Sequence, residues 1–286
     1  MDWLFAPFTD PAMARALAAC VALAFGGAPI GVFLVLRRTS LIGDALSHAI
    51  LPGVAIAFVF AGFSILWMTI GGLLAGMAVA ILSAAASRIT ALREDASLAA
   101  FFIISLALGT LLVATFGTDD ELLHILFGKV LAMPDEALLT VAGVASVTMA
   151  ALALLYRPLV LECFDPGFLR SAGRTGAVVH FAFLSLVVLN LVSGFQALGT
   201  LMAVGLMMLP AVSARFWSEH AGGQIAVAVA VTVVSGFLGL LVAHHAGTPP
   251  ETTIVLTAGV FYLVSLIAGA QGGIASRLVR LRHLEA

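Results

Sequence analysis

Along the chain, apolar runs of about twenty residues alternate with short polar joints, and each run is long enough to cross a ~30 Å hydrocarbon layer as a helix. The first covers about Ala12 to Leu36 and stops at Arg37 and Arg38. Leu41 to Ala61, Ile65 to Ala86 and Ser97 to Phe116 follow. Beyond an acidic joint, Leu122 to Met133 is apolar but short and broken by Gly128 and Lys129, which reads as an interfacial or re-entrant piece. Five further runs complete the set: Ala137 to Tyr156, Ala177 to Ser193, Leu198 to Arg215, Gln224 to Ala243 and Thr252 to Ala270. The pattern predicts an all-α, polytopic membrane protein of about nine transmembrane helices, with residues 1–286 forming one transmembrane domain.

Charge orients the spans. Arg37, Arg38, Arg88, Arg93, Arg157, Arg170, Arg174 and Arg215 fall in alternate joints, and Arg277, Arg280 and Arg282 close the chain. The positive-inside rule places those joints in the cytoplasm, so the N-terminus is expected outside and the C-terminus inside. Composition agrees: 62% of residues are hydrophobic and 10% charged, against about 25% charged for an ordinary soluble domain. A net charge of −2 gives no basic footprint for nucleic acid. Cys20 and Cys163 suggest neither a disulfide framework nor a thiolate zinc site. The opening MDWLFAPFTDP lacks a positive n-region and a small-residue cleavage site, so insertion through the first apolar helix is expected.

Against this apolar background one stretch stands out, RRTSLIGDALSHAILPG from Arg37 to Gly53. Asp44 and His48 are four apart, so on a helix they share a face, with Ser47 beside them. Pro52 removes a backbone donor and Gly53 loosens the chain, so a bend or break is expected just beyond the pair. A capped helix start with a satisfied polar pair is the plain reading. At the expected membrane depth an ionisable pair is costly unless it faces a partner, an ion or water, which favours a metal site. Pro210 is expected to kink the Leu198–Arg215 span. Met202, Met207 and Met208 there could hold Cu(I), but packing is the better reading. On the outside, His124 near Asp119, Asp120 and Glu121, and His244 and His245 with Glu251, could attract a divalent cation or simply be solvated.

The longest polar segment is LECFDPGFLRSAGRTG, Leu161 to Gly176. Asp165 can cap a short helix with Pro166 at its first position and Gly173 at its end, which offers a surface helix to a cytoplasmic partner; a plain loop is the alternative. No GxxxxGK[ST], HExxH or GxSxG occurs. Energy for any transport must therefore come from a partner or a gradient.

RRTSLIGDALSHAILPG resembles the signature of the zinc/manganese/iron(II) permease family of ABC importers. VGLMMLPAVSAR, Val204 to Arg215, and FDPGFLRSAG, Phe164 to Gly173, are similar to two further family stretches in the same order. The resemblance implies a multi-pass permease of the bacterial inner membrane that forms a homodimer, binds two cytoplasmic ATPases and receives its ion from an extracytoplasmic metal-binding protein. On that resemblance no nucleotide site and no resident cofactor are expected, the metal being cargo. Family ligands match Asp44 and His48, and the ATPase-coupling region matches Phe164, Asp165, Pro166 and Gly173. Where the family often has small residues, this chain has Leu169, Arg170 and Ser171.

One Asp and one His are too few for a metal cage, but a two-fold axis would bring together two carboxylates and two imidazoles. That set leans toward zinc, ahead of manganese and ferrous iron, and the outside histidines push the same way. A cation-coupled secondary carrier would need further buried ionisable groups, and only His180 and the polar but neutral Asn190 lie inside other spans. An intramembrane enzyme would have only Ser47, Asp44 and His48, which on one short helix are too close to form a triad with room for substrate.

Overall fold

A computed structural model describes residues 6–62, 64–90, 94–116, 130–164 and 175–276. Among these residues there is no strand, and ten α-helices follow one another. They are α1 (Pro11–Leu36), α2 (Ser40–Ala49), α3 (Leu51–Ala61), α4 (Ile65–Ile89), α5 (Glu94–Phe116), α6 (Asp135–Phe164), α7 (Thr175–Leu198), α8 (Thr200–Ala214), α9 (Ala221–Ala246) and α10 (Pro250–Ala268). Seven stretches are long and apolar enough to cross a membrane, α2 with α3 counting as one, and the shorter apolar stretches Ala96–Leu112 and Thr200–Ala214 fill the remaining expected places. All nine runs of the sequence pattern are therefore helical. Of the expected re-entrant piece, only residues 130–133 lie within the described residues, the 3-10 turn Val130–Ala132 and the buried Met133.

Local chemistry explains the joints. Asp10 accepts a hydrogen bond from Ala12 N–H at 3.0 Å and Pro11 takes the first helical position, which caps α1 and sets its start. At the other end Arg38 adopts φ 59° and Thr39 N–H reaches back to Leu34 O at 3.0 Å, a Schellman-type reversal that usually carries glycine. Between α7 and α8 the reversal falls on Gly199, φ 83°. Gly194 then lies so close to Ala203 that a Cβ on it would sit 2.8 Å from the Ala203 methyl, so the chain has doubled back on itself there.

Helix α1 is the hub. Of its most apolar stretch 72% is buried, against 22% for α10 and for α6, whose outer faces leave Leu139, Leu154, Leu256 and Val260 exposed as a lipid-facing surface would. Close approach is made by small residues: a Cβ on Gly31 would fall 1.9 Å from Met207 O, so α1 and α8 cross backbone to backbone. Met202 and Met207 are fully buried in the apolar core, which is the packing role.

The contacts fix relative directions. Arg15, near the start of α1, pairs with Asp135 at the start of α6 at 2.9 Å, and Arg37, just past the end of α1, pairs with Glu162 near the end of α6. These two helices therefore run parallel, as alternation of the spans requires. Gln271 N–H to Phe216 O at 2.8 Å likewise joins the ends of α10 and α8. One boundary differs from the sequence reading. The fifth span was expected to stop near Tyr156 before Arg157 and Pro158, but α6 runs on to Phe164. Leu159, fully buried, and the Glu162 ion pair hold the extra turns, so tertiary contacts override the local proline signal.

Candidate functional site

Helix α2 reads SLIGDALSHA, and its apolar positions Ile42, Ala45, Leu46 and Ala49 are buried against the bundle. That burial turns Leu41, Asp44 and His48 to the opposite face, where Leu41 is 81% exposed, Asp44 is exposed and His48 is half-buried. Gly43 allows the approach behind them, a Cβ there being 2.9 Å from the Met207 methyl. Ser47 is buried and donates to Asp44 O at 2.6 Å, so its hydroxyl serves the helix backbone.

The expected break falls at Ile50, two residues after His48. Pro52 has no N–H to give, and Gly53 N–H bonds to Ile50 O at 3.1 Å in a tighter 3-10 step. The Ala49 carbonyl is thereby released from the ladder. Ser105 of α5, itself buried, donates to it at 2.9 Å. Gly53 has a second role that flexibility alone does not describe. A Cβ on it would lie 2.0 Å from Gly71 O, and one on Gly71 would lie 2.3 Å from Gly53 O, so these glycines are the point where α3 and α4 touch. Pro210 lies inside α8, which continues through it from Thr200 to Ala214.

Around His48 the walls are mostly apolar, with Ile50, Leu51, Val54 and Phe195 beside one amide. Its ring lies 6.5 Å from that of Phe102, and His48, Ser47, Val192, Gln196 and Thr200 share the lining of a small cavity of about 30 Å³. Gln196 was not foreseen. Thr69 Oγ1 lies 2.7 Å from Ile65 O and 2.9 Å from the Gln196 amide oxygen, but a hydroxyl has one proton. If that proton goes to Ile65 O, the amide must turn its NH2 to Thr69 and its oxygen away, which also relieves the otherwise unpartnered Nε2.

The remaining expected residues divide. Among the described residues no three His, Cys, Asp or Glu side chains group to hold a metal within one chain. At the opposite end, His245 Nδ1 is 2.8 Å from Leu241 O, the His244 and His245 rings meet edge to face at 5.3 Å, and Glu251 accepts from Val130 N–H at 2.7 Å. Their first partners are thus the protein itself. His124, Asp165, Pro166 and Gly173 lie outside the described residues. Phe164 ends α6 and is 76% exposed. Asn190 is not a free intramembrane group: its amide nitrogen donates to Thr148 Oγ1 at 2.7 Å and Leu186 O at 2.9 Å, tying α7 to α6.

Sequence reasoning missed a buried charged cluster. Arg37 pairs with Glu162 and lies 4.3 Å over the Phe183 ring, and Glu162 Oε1 is 3.4 Å from His180 Nδ1. These residues line a cavity of about 530 Å³ with Arg38, Cys163 and Arg215. A signal existed: Glu162 and Arg37 fall in joints assigned to the same side.

Residues 9–269 match the model of the ABC 3 transport family. The chain is 31% identical over 251 residues to the manganese import system permease protein ScaB of Streptococcus parasanguinis, covering 88% of each. With the chelated iron transport system membrane protein YfeD of Yersinia pestis it shares 31% identity over 271 residues, 93% of this chain and 90% of the relative. Its structure is similar to PsaBC from Streptococcus pneumoniae in complex with Fab, with a TM-score of 0.85, 26% identity and 98% of each chain covered.

Proposed function

Because the chain belongs to the ABC 3 transport family, we propose that it is the membrane-spanning permease of an ATP-driven importer of a divalent transition metal, with Asp44 and His48 as its intramembrane ligands. The observation that carries this reading is the outward face of α2: a carboxylate and an imidazole one turn apart, left open by a helix whose other side is buried. In a soluble protein such a face would be ordinary. In a multi-pass membrane protein it needs something polar to meet.

A second copy of the chain supplies it. Two α2 helices facing each other across a two-fold axis would present two carboxylates and two imidazoles to one ion. The carboxylates offset its charge, and the imidazoles favour borderline metals over Mg²⁺ and Ca²⁺. Two cytoplasmic ATPases docked near Phe164 and the following segment would drive the cage open to one side and then the other, and an extracytoplasmic binding protein would deliver the ion. In this arrangement the end of the bundle bearing Arg37, Glu162 and Arg215 faces the cytoplasm.

For the ion we favour manganese, with ferrous iron next. The donor set accepts zinc as a four-coordinate cage and manganese once waters complete an octahedron. The lean to zinc rested on the doubled Asp44 and His48 set, which manganese can also use, and secondarily on the outer histidines, of which His245 is engaged by Leu241 O. The relatives compared above are named for manganese and iron. Uptake of radiolabelled Mn²⁺ and Zn²⁺ at matched expression tests both steps. Asp44→Asn and His48→Ala should each abolish uptake while the protein still inserts; wild-type rates in either would remove the site. Zn²⁺ carried in preference to Mn²⁺ in direct competition would restore the zinc reading.

A further inference from the structure

The cluster at Arg37 has no part in holding the metal, yet it occupies a mechanical crossroads. Arg37 directly follows α1, and only Arg38 and Thr39 separate it from α2, which carries Asp44 and His48. Its guanidinium reaches Glu162, two residues before α6 ends, and rests on Phe183 of α7, while His180 of α7 stands 3.4 Å from the same carboxylate. Helices α6 and α7 are the two that flank segment 165–174. Both are therefore fastened to the residue that begins the turn into the metal-bearing helix.

Stability alone does not account for this. The Arg37 and Glu162 side chains are 9% and 16% exposed, and an ion pair so largely withdrawn from water loses in desolvation much of what it gains in attraction, so apolar replacements are often as stable. What a buried pair does supply is a fixed geometry. The turn it anchors is tightly determined as well, with Arg38 held at φ 59° and Thr39 N–H bonded to Leu34 O. A displacement of the end of α6 has little slack to absorb it before α2 moves.

We infer that the Arg37–Glu162 pair is a positioning link through which movement at the end of α6 reaches Asp44 and His48. This rests on the proposed transport function and deepens it. Coupling between distant sites runs through packed elements with discrete arrangements, and Glu162, placed between Arg37 and His180 beside an open cavity, has two partners to choose between.

The test compares variants of the full complex, the permease with its ATPase and binding protein, in proteoliposomes with Mn²⁺ and Zn²⁺ as probes. Arg37→Met with Glu162→Met leaves no orphan charge, and should keep yield, ATPase association and the rate of ATP hydrolysis. Metal moved per ATP should fall about tenfold, within the range over which residues along coupling networks act. Glu162→Asp, which keeps the charge but shortens the reach, should give an intermediate ratio and serves as the readout if the double variant fails to insert. An unchanged ratio in the double variant or in Glu162→Asp, or a parallel loss of hydrolysis and uptake, would show that the pair only holds the fold. Asp44→Asn, with the pair intact, is the separate control: normal transport by it overturns the metal site whatever the pair does.

Discussion

Placing a methyl group on Gly53 asks whether the α3–α4 crossing is as tight as its geometry says. The Cβ of Gly53→Ala would lie 2.0 Å from Gly71 O and 2.6 Å from the Ala75 methyl. Ordinary contact begins near 3.4 Å, so the helices must part by 3.4 − 2.0 = 1.4 Å at that point. A carbonyl oxygen of a helix cannot swing aside as a flexible side chain would. A gap of 0.5–1 Å already forfeits roughly a quarter to a half of a dispersion contact, so Val54 and Met68 nearby lose packing too. Overpacking of this kind costs about 1–3 kcal/mol, which outweighs the ~0.5–1 kcal/mol that Ala gains over Gly in a helix. Gly143 and Gly259 are the internal controls, because a Cβ at either meets nothing within 4 Å. Thermal unfolding of the purified protein in one detergent should therefore show opposite signs. Gly53→Ala lowers the midpoint by roughly 2–12 °C, and Gly143→Ala raises it by roughly 1–4 °C. A Gly53→Ala protein as stable as Gly143→Ala would refute the backbone contact, and with it the claim that glycine is there for proximity.

Asn190→Leu removes two buried hydrogen bonds and strands the fully buried Thr148 hydroxyl, so unfolding should show a loss of about 1–3 kcal/mol. Competition uptake should show unchanged metal preference; an altered coupling ion would instead support a secondary carrier. Ser105→Ala leaves the Ala49 carbonyl without its donor at the break between α2 and α3, a cost of about 1 kcal/mol readable in the same melt. By contrast Asp135→Ala should change stability by less than about 1 kcal/mol, since the Arg15 and Asp135 side chains are 38% and 78% exposed; a larger drop would mean that the pair is less solvated than it looks.

Hydrophobic period was enough to place the nine helical runs, because a membrane punishes every unpaired backbone group and so forces each apolar run into a helix. The shared face of Asp44 and His48 and the break just beyond them, at Ile50 ahead of Pro52, were equally legible, since both are properties of one helix and its immediate neighbours. Only the tertiary structure decided what crosses that distance. Gly53 meets Gly71, Gly31 meets Met207, Ser105 completes Ala49, and Arg37 meets Glu162 across 125 positions of sequence. None of these pairs leaves a periodic trace, because each depends on how helices cross, and crossing is set by the side chains of both partners at once. The length of α6 makes the same point: Arg157 and Pro158 announce an end, but the contacts of Leu159 and Glu162 outweigh that local preference and carry the helix on to Phe164.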